Sequence, residues 1–483
     1  MTTPLTREDI ASGLRALGLG EGDAVLLHSS LSSLGRVEGG AGAVVDAFLD
    51  VLGPGGTLAV PVFGSLGAVT DAVRDRPGAV CSVHPLAAVA AVGAQAEALC
   101  ADHWRAELAH GPDTPYTRLA ELGGYVCLLG VDQDRNTTWH TVEEMLRLPY
   151  LQTTEPHTFD TPESEATRSW DLFPGPHRDF IGLDRAWRDS GHMKVSRIGG
   201  AVARLMPSAE LLALGQRLGA GDPAFALCDN PHCNDCVGQR ARLRRARLED
   251  ESFSLAAAAS LAGHYAEEIG DRCMRAGVAQ VELDCVRGRP VSALAEGELA
   301  RAVETVRASG CRVGALRLPA PPVKLEPLLT QARELGIDRL VMPLGGRSPE
   351  HARLAVVSGV AVSFCNAAMG SEEATTLLQE MADAGLEPRF TFGAAAFARA
   401  GEKPFLQSWC ARLKHRVDQL DVEDALFDGT PQPLRRGQAE IAEMVSILRC
   451  ASFGGPMVLG AGNRAVGTLE DAVSAFHELL DHI

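Results

Sequence analysis

No apolar run in this 483-residue chain approaches the roughly 20 residues that a membrane-spanning helix needs. The opening residues, Met1-Thr2-Thr3-Pro4-Leu5-Thr6, carry neither a basic n-region nor an apolar h-region. A cytoplasmic protein with no membrane partner is therefore expected. Excess positive charge is missing too: 45 Lys and Arg stand against 62 Asp and Glu, a net charge of -17. Phosphate binding needs basic surface, so nucleic acid is not an expected partner. Two explanations of the acidity stay open. It can steer a cationic small molecule toward an acidic cleft, or it can only aid solubility. A second Cys-x-x-Cys pair at zinc-ribbon spacing is also absent, although the chain has 12 cysteines.

What is present is an ordinary globular composition, 46% hydrophobic and 22% charged. The length predicts two or three domains. Residues 1–245 read as the first and 252–483 as the second. Between them Arg240-Ala241-Arg242-Leu243-Arg244-Arg245-Ala246-Arg247 precedes Glu249-Asp250-Glu251. So short a basic run reads as a solvated helix end and linker.

In the first region Thr6-Arg7-Glu8-Asp9 has capping-box character before a short helix. Ala24–His28 and Thr57–Pro61 read as strands. A helix from Gly39-Gly40 through Leu52 lies between them and stops at Gly53-Pro54-Gly55-Gly56. Val126–Val131 is a further buried strand, and Asn136-Thr137-Thr138-Trp139-His140-Thr141-Val142-Glu143-Glu144 follows it. A helix opening there would put His140 and Glu143 on one face, three residues apart. That pairs a general base with an orienting carboxylate, beside hydroxyl donors for developing charge. Tyr150 to Asp184 is rich in Pro, Thr and acidic residues and reads as a long excursion from the core.

These segments are similar to the antibiotic N-acetyltransferases of the aminoglycoside 3-N-acetyltransferase type. The resemblance rests on the stretch from Leu27 to Gly40, on Leu52–Leu58 and Pro61-Val62-Phe63, and on Ser82–Pro85 and Ala90–Gly93. It continues through Gly111–Tyr116, Asn136–His140 and Pro149-Tyr150, in the family's order. It implies an α/β sandwich around a mixed sheet, distinct from the GNAT fold, and acetyl-CoA as cofactor. It further implies direct acyl transfer to the amine of a small polar acceptor. His140 would be the base and Glu143 its orienter, and Thr137 or Thr138 would donate to the thioester oxygen or the departing thiolate. The Ser29, Ser30, Ser32, Ser33, Leu34, Gly35 and Val37 segment would hold the cofactor. Phe63, His84, Glu144, Asp171 and Asp179 would line the acceptor site. The chain departs from the pattern between Trp170 and Phe180, where Pro174, Gly175 and Pro176 stand in places at which the family's resistance enzymes carry acids. An aminoglycoside or another amine, such as a biosynthetic intermediate, is allowed. A non-catalytic acyl-CoA-binding protein is the alternative.

Cys228, His232, Cys233 and Cys236 could hold a structural Zn²⁺. A metal-free cysteine cluster is the expected reading, and no metal is expected as a cofactor.

From Phe253 onward, strands alternate with helices. The expected strands are Phe253–Leu261, Val278–Leu283, Arg312–Leu318, Arg339–Pro343, Val360–Cys365, Arg389–Phe392, Gln419–Val422 and Met457–Leu459. Eight repeats predict a (β/α)₈ barrel, with a doubly wound open sheet as the alternative. The region resembles the sugar phosphate isomerase/epimerase barrels of the xylose isomerase-like type, which hold a divalent metal at strand ends. Here Phe364-Cys365-Asn366, Gly393, Ala396 and Gly460 stand where that family places ligands. Isomerase or epimerase activity is the competing function. The expectation is a metal-free barrel that helps form the acceptor pocket, forms a homodimer or recruits a partner. Glu282, Asp284, Asp421 and Asp424 remain as a polar group at strand ends.

Overall fold

The computed structural model describes residues 4–64, 66–175, 177–367, 369–461 and 466–483. Met1, Thr2, Thr3 and Pro176, on which some expectations rest, lie outside the described residues. The chain divides into two units, Met1–Gln239 and Arg240–Ile483. Among the described residues, no helix is long and apolar enough to cross a membrane.

The first unit opens with helix Arg7–Leu17, capped at Thr6 by a reciprocal Thr6–Asp9 pair. Its sheet has seven strands in the order 194–198, 201–207, 125–129, 24–29, 57–61, 89–93, 80–81. Strand Ala24–Ser29 runs parallel to both Thr57–Pro61 and Tyr125–Leu129, while the outer strands are antiparallel. The sheet is therefore mixed. Side chains alternate across it, as a pleat requires. Val25, Leu27, Leu58 and Cys127 join Ile10, Val44 and Phe48 on one face. Leu26, Ala59, Val126 and Leu128 join Tyr116, Trp139 and Trp187 on the other. Helices cover both faces, which makes this unit an α/β sandwich. The excursion after Tyr150 is not structureless. It holds two antiparallel ribbons, Gln152–Thr153 with Asp171–Leu172 and His157–Asp160 with Glu165–Arg168.

The second unit is a closed barrel of eight parallel strands. They are Ser254–Ala258, Gln280–Leu283, Arg312–Arg317, Arg339–Pro343, Ala361–Cys365, Arg389–Gly393, Val417–Val422 and Pro456–Leu459. Ser254–Ala258 pairs with both Gln280–Leu283 and Pro456–Leu459, which closes the ring and sets aside the open-sheet alternative. The expected strand Phe253–Leu261 is shorter than its apolar run. It ends at Ala258, and Ala259–Ala262 turns into a helix. The four successive alanines, Ala256–Ala259, suit a helix as well as a strand, so hydropathy alone could not place that end.

Candidate active site

A cavity of roughly 730 Å³ opens at the carboxyl ends of the three parallel strands of the first unit. His28 and Ser29 come from the first of these, Pro61 from the second with Phe63 just past it, and Gly130 and Val131 from just past the third. Open α/β sheets bind ligands at such strand ends. Ser29, Ser30, Ser32, Asn136, Thr137, His140 and Phe173 complete the part that bears on chemistry.

The chain turns sharply at Gly130, whose φ is +72°. A Cβ there would stand 2.6 Å from the Ser33 Cβ, so only glycine lets the strand exit and the serine turn meet. Ser33 Oγ then donates to the Gly130 carbonyl at 2.8 Å. After this turn, helix Thr138–Met145 carries His140, Glu143 and Glu144. Asn136 Oδ1 accepts from the Thr138 amide, and Gln133 Oε1 accepts from both Asn136 Nδ2 and Trp139 Nε1. These bonds fix the helix start.

His140 Nδ1 donates to Glu143 Oε2 at 2.6 Å. The other carboxylate oxygen accepts from Tyr150 Oη at 2.7 Å and from Arg178 Nε at 2.5 Å. Glu143 is thus fully buried with three donors. Burial works against its charge, but the bonds from His140 and the guanidinium more than offset it and hold the carboxyl below its usual range. Burial pulls the His140 imidazole down, and Glu143 opposes this only in part, so the ring stays below its ordinary value. A neutral ring with its proton on Nδ1 has a basic Nε2. Phe173 stacks on that ring, with centroids 3.4 Å apart and planes within 6°, and Phe180 meets it edge-on at 4.9 Å.

The remaining expected site residues are distributed unevenly. Thr137 lines the cavity. Thr138 is buried, and its Oγ1 is without a hydrogen-bond partner among the described residues. Leu34 lies in the core, while Val37 packs against it and pairs with Leu5; Gly35 ends the short helix Leu31–Leu34. His84 is wedged between His103 and Trp170, and its Nδ1 accepts from the Leu86 and Ala87 amides. Burial, with the neighbouring His103, drives its pKa down to about 2. Asp171 accepts from Thr153 on the ribbon, and Asp179 accepts from the Gly182 amide. Neither aspartate lines the cavity.

Glu144 reveals a residue that the sequence reading passed over. Its two oxygens accept from the His110 amide and from His110 Nδ1, both at 2.7 Å. His110 is buried, with its Nε2 among the unpartnered buried atoms, and its ring lies 6.1 Å from His140 and 6.3 Å from Phe63. Two His–Glu pairs therefore stand side by side. Arg178, Tyr150 and Phe173 were also missed as site residues. The sequence signal for His110 was its place directly before the Gly111–Tyr116 segment, facing a second glutamate after Glu143.

The model of the family described as aminoglycoside 3-N-acetyltransferase matches residues 26–65 and 63–218. Aminoglycoside N(3)-acetyltransferase VII of Streptomyces paromomycinus is 38% identical over 182 residues, 30% of this chain and 62% of that protein. Aminoglycoside N(3)-acetyltransferase IV of Salmonella sp is 33% identical over 230 residues, 44% of this chain and 86% of that protein. The chain belongs to the aminoglycoside 3-N-acetyltransferase family. It spans a little under two thirds of the type VII enzyme, and likewise 63% of the type VIII enzyme of Streptomyces fradiae. Among solved structures, the AAC(3)-IVa apoenzyme covers 50% of this chain at 30% identity with a TM-score of 0.46.

The aminoglycoside 3-N-acetyltransferase match ends at residue 218, so the barrel lies outside it. The barrel's own strand ends carry a buried polar group. The Arg317 guanidinium lies between Glu282 and Asp421, and Gln419 Nε2 donates to Glu282 at 2.8 Å. Asp284 accepts from Ser260 and the Cys285 amide, and Asp424 accepts from the Ala425, Gly437 and Ala439 amides. Those two aspartates hold backbone in place. Burial, reinforced by Asp421, pushes Glu423 up to about 8, which makes it a neutral acid at pH 7.

Proposed function

We propose that the first unit transfers the acetyl group of acetyl-CoA directly to an amine of an aminoglycoside-like acceptor. One observation carries this reading: the His140–Glu143 pair, braced by Tyr150 and Arg178, borders a cavity at the carboxyl ends of parallel strands. An ammonium is not a nucleophile, so His140 Nε2 takes its proton first. The amine nitrogen then attacks the thioester carbonyl, the C–S bond breaks, and the proton that the nitrogen sheds on becoming an amide goes to the departing CoA thiolate. Glu143 holds the tautomer throughout and stabilises the imidazolium. Thr137 is the hydroxyl on the cavity wall that can donate to the carbonyl oxygen, and Ser29, Ser30 and Ser32 offer hydroxyls to the cofactor. The net charge of -17 supports a cationic acceptor.

For the barrel, we propose a metal-free accessory. Gly and Ala side chains cannot ligate at Gly393, Ala396 and Gly460, and Glu282 and Asp421 are both already paired with the Arg317 guanidinium.

Incubation with acetyl-CoA and a panel of aminoglycosides and small amino metabolites, read as thiol release, tests the first reading. His140→Ala is expected to lose about 10²–10⁴ in rate while still binding CoA. Unchanged turnover in that variant would sink the mechanism. CoA binding without turnover of any amine would point to a non-catalytic acyl-CoA-binding protein.

A further inference from the structure

Excursion residue His177 meets three cysteines that lie more than fifty positions later. Its Nδ1 is 3.3 Å from Cys233 Sγ, 3.4 Å from Cys236 Sγ and 3.9 Å from Cys228 Sγ. All four donor atoms lie within 4.8 Å of one another, and no disulfide joins the thiols. His232, the imidazole nearest in sequence, is exposed and is not part of the group.

We propose that His177, Cys228, Cys233 and Cys236 bind one structural zinc ion. Zinc takes thiolate sulfur at about 2.3 Å and imidazole nitrogen at about 2.0–2.1 Å, which in a tetrahedron puts sulfur about 3.6 Å from nitrogen. The observed separations of 3.3, 3.4 and 3.9 Å bracket that edge, so the ligands need little rearrangement. Three thiolates with one imidazole is a donor set that selects zinc over magnesium, calcium or manganese. The surroundings hold the ligands in place. The Cys233 amide donates to the Asn230 carbonyl at 3.1 Å, closing a turn before the Cys233-x-x-Cys236 step. The His177 amide donates to Asp235 Oδ2 at 3.2 Å, and Gln239 Nε2 donates to the Pro174 carbonyl at 2.6 Å. Four protein ligands close the shell, so the ion is structural rather than catalytic.

The ion would bear on the active site through the residue next to it. Arg178 follows His177 directly and donates to Glu143, while Phe173 on the same segment stacks on His140. Zinc would fasten this segment to Cys228–Cys236, and Arg178 would act as a positioning residue.

Metal analysis of the full chain from zinc-supplemented medium is expected to give one zinc per chain. The double variant Cys233→Ser, Cys236→Ser should lose it, and His232→Ala should keep it. A double variant that fails to fold would say nothing about binding, so the native chain provides the second measurement. Exchanged into Co²⁺, it should show thiolate-to-cobalt charge transfer and tetrahedral d–d bands. Mercurial titration of its thiols should release the metal in step. Removing zinc should lower the melting temperature and lower kcat more than it raises the KM for acetyl-CoA. Native chain with no stoichiometric zinc and no such cobalt bands overturns the proposal. So does zinc undiminished in the double variant, or iron in its place. Metal content does not depend on turnover, so this outcome is separable from that of the proposed acyl transfer.

Discussion

Glu143 carries more of the site than any other single side chain, because three donors converge on its two oxygens. Its negative charge raises the His140 pKa against the larger effect of burial. Glu143→Gln keeps the shape but removes the charge and places an amide where a donor already points. The His140 pKa should then fall further, so the acidic limb of kcat/KM moves to lower pH. The plateau should drop by about 10²–10⁴, the scale for losing an oriented base. Urea unfolding should report a loss of about 1–3 kcal/mol for the unmatched donors. An unshifted acidic limb would mean that Glu143 does not tune His140. The pair was readable in the sequence because its geometry needs only one helix. His110, Arg178 and Tyr150 were not readable as partners. His110 meets Glu144 from 34 positions away and Arg178 meets Glu143 from 35, contacts made by chain reversals that residue spacing does not encode.

Helix Thr138–Met145 is seated by a glycine on its neighbour, helix Ser208–Gly221. A Cβ on Gly215 would stand 2.5 Å from Val142 Cγ2 and 3.1 Å from Trp139 Cζ3. Both contacts come from fully buried side chains with little room to yield. Gly215→Ala is therefore expected to push helix Thr138–Met145 outward, costing about 1–3 kcal/mol of stability. The displaced His140 should lower kcat while CoA affinity, measured by calorimetry, stays near the parent value. A parent-like kcat together with parent-like stability would show that the two helices have slack. At this scale the barrel strands were legible because most are short apolar runs that recur between helical segments and turn signals, although Val417–Val422 carries Asp418, Gln419 and Asp421. The ribbons of the excursion were not, because their strands are two to four residues long and only the Phe159–Ala166 pair gives them an apolar, half-buried contact. Strands that bury little leave little hydropathy pattern.

Over the whole molecule, the two units hold buried ionisable groups of opposite sense, and acid should separate them. In the first unit His28 and His103 are pushed down to about 4 by burial, and His84 to about 2. An unfolded histidine titrates near 6.5, so between that value and about 4 the unfolded chain binds protons that the folded unit refuses. Stability from these groups is complete above pH 6.5 and drains as pH falls, by up to about 1.4 kcal/mol per pH unit for each histidine. In the barrel the leading groups are carboxyls held up by burial: Glu423 at about 8, with Asp284, Asp421 and Asp424 shifted the same way. A raised carboxyl contributes fully below its unfolded pKa and loses that contribution as pH rises through the folded one, so acidification strengthens this part of the barrel. His477, lowered to about 4, opposes it, as do the lowered His351 imidazole and the lowered carboxyls of Glu402 and Glu470. Domain stabilities of about 5–15 kcal/mol leave the first unit little margin once three histidines draw on it. Trp104, Trp139, Trp170 and Trp187 belong to the first unit and Trp409 to the second, so tryptophan fluorescence follows mainly the first. On titration downward from pH 7, fluorescence should change before the barrel's far-UV circular dichroism is lost, giving two separated transitions. A single transition, coincident by both probes, would mean that the units unfold together and that their buried groups act as one set.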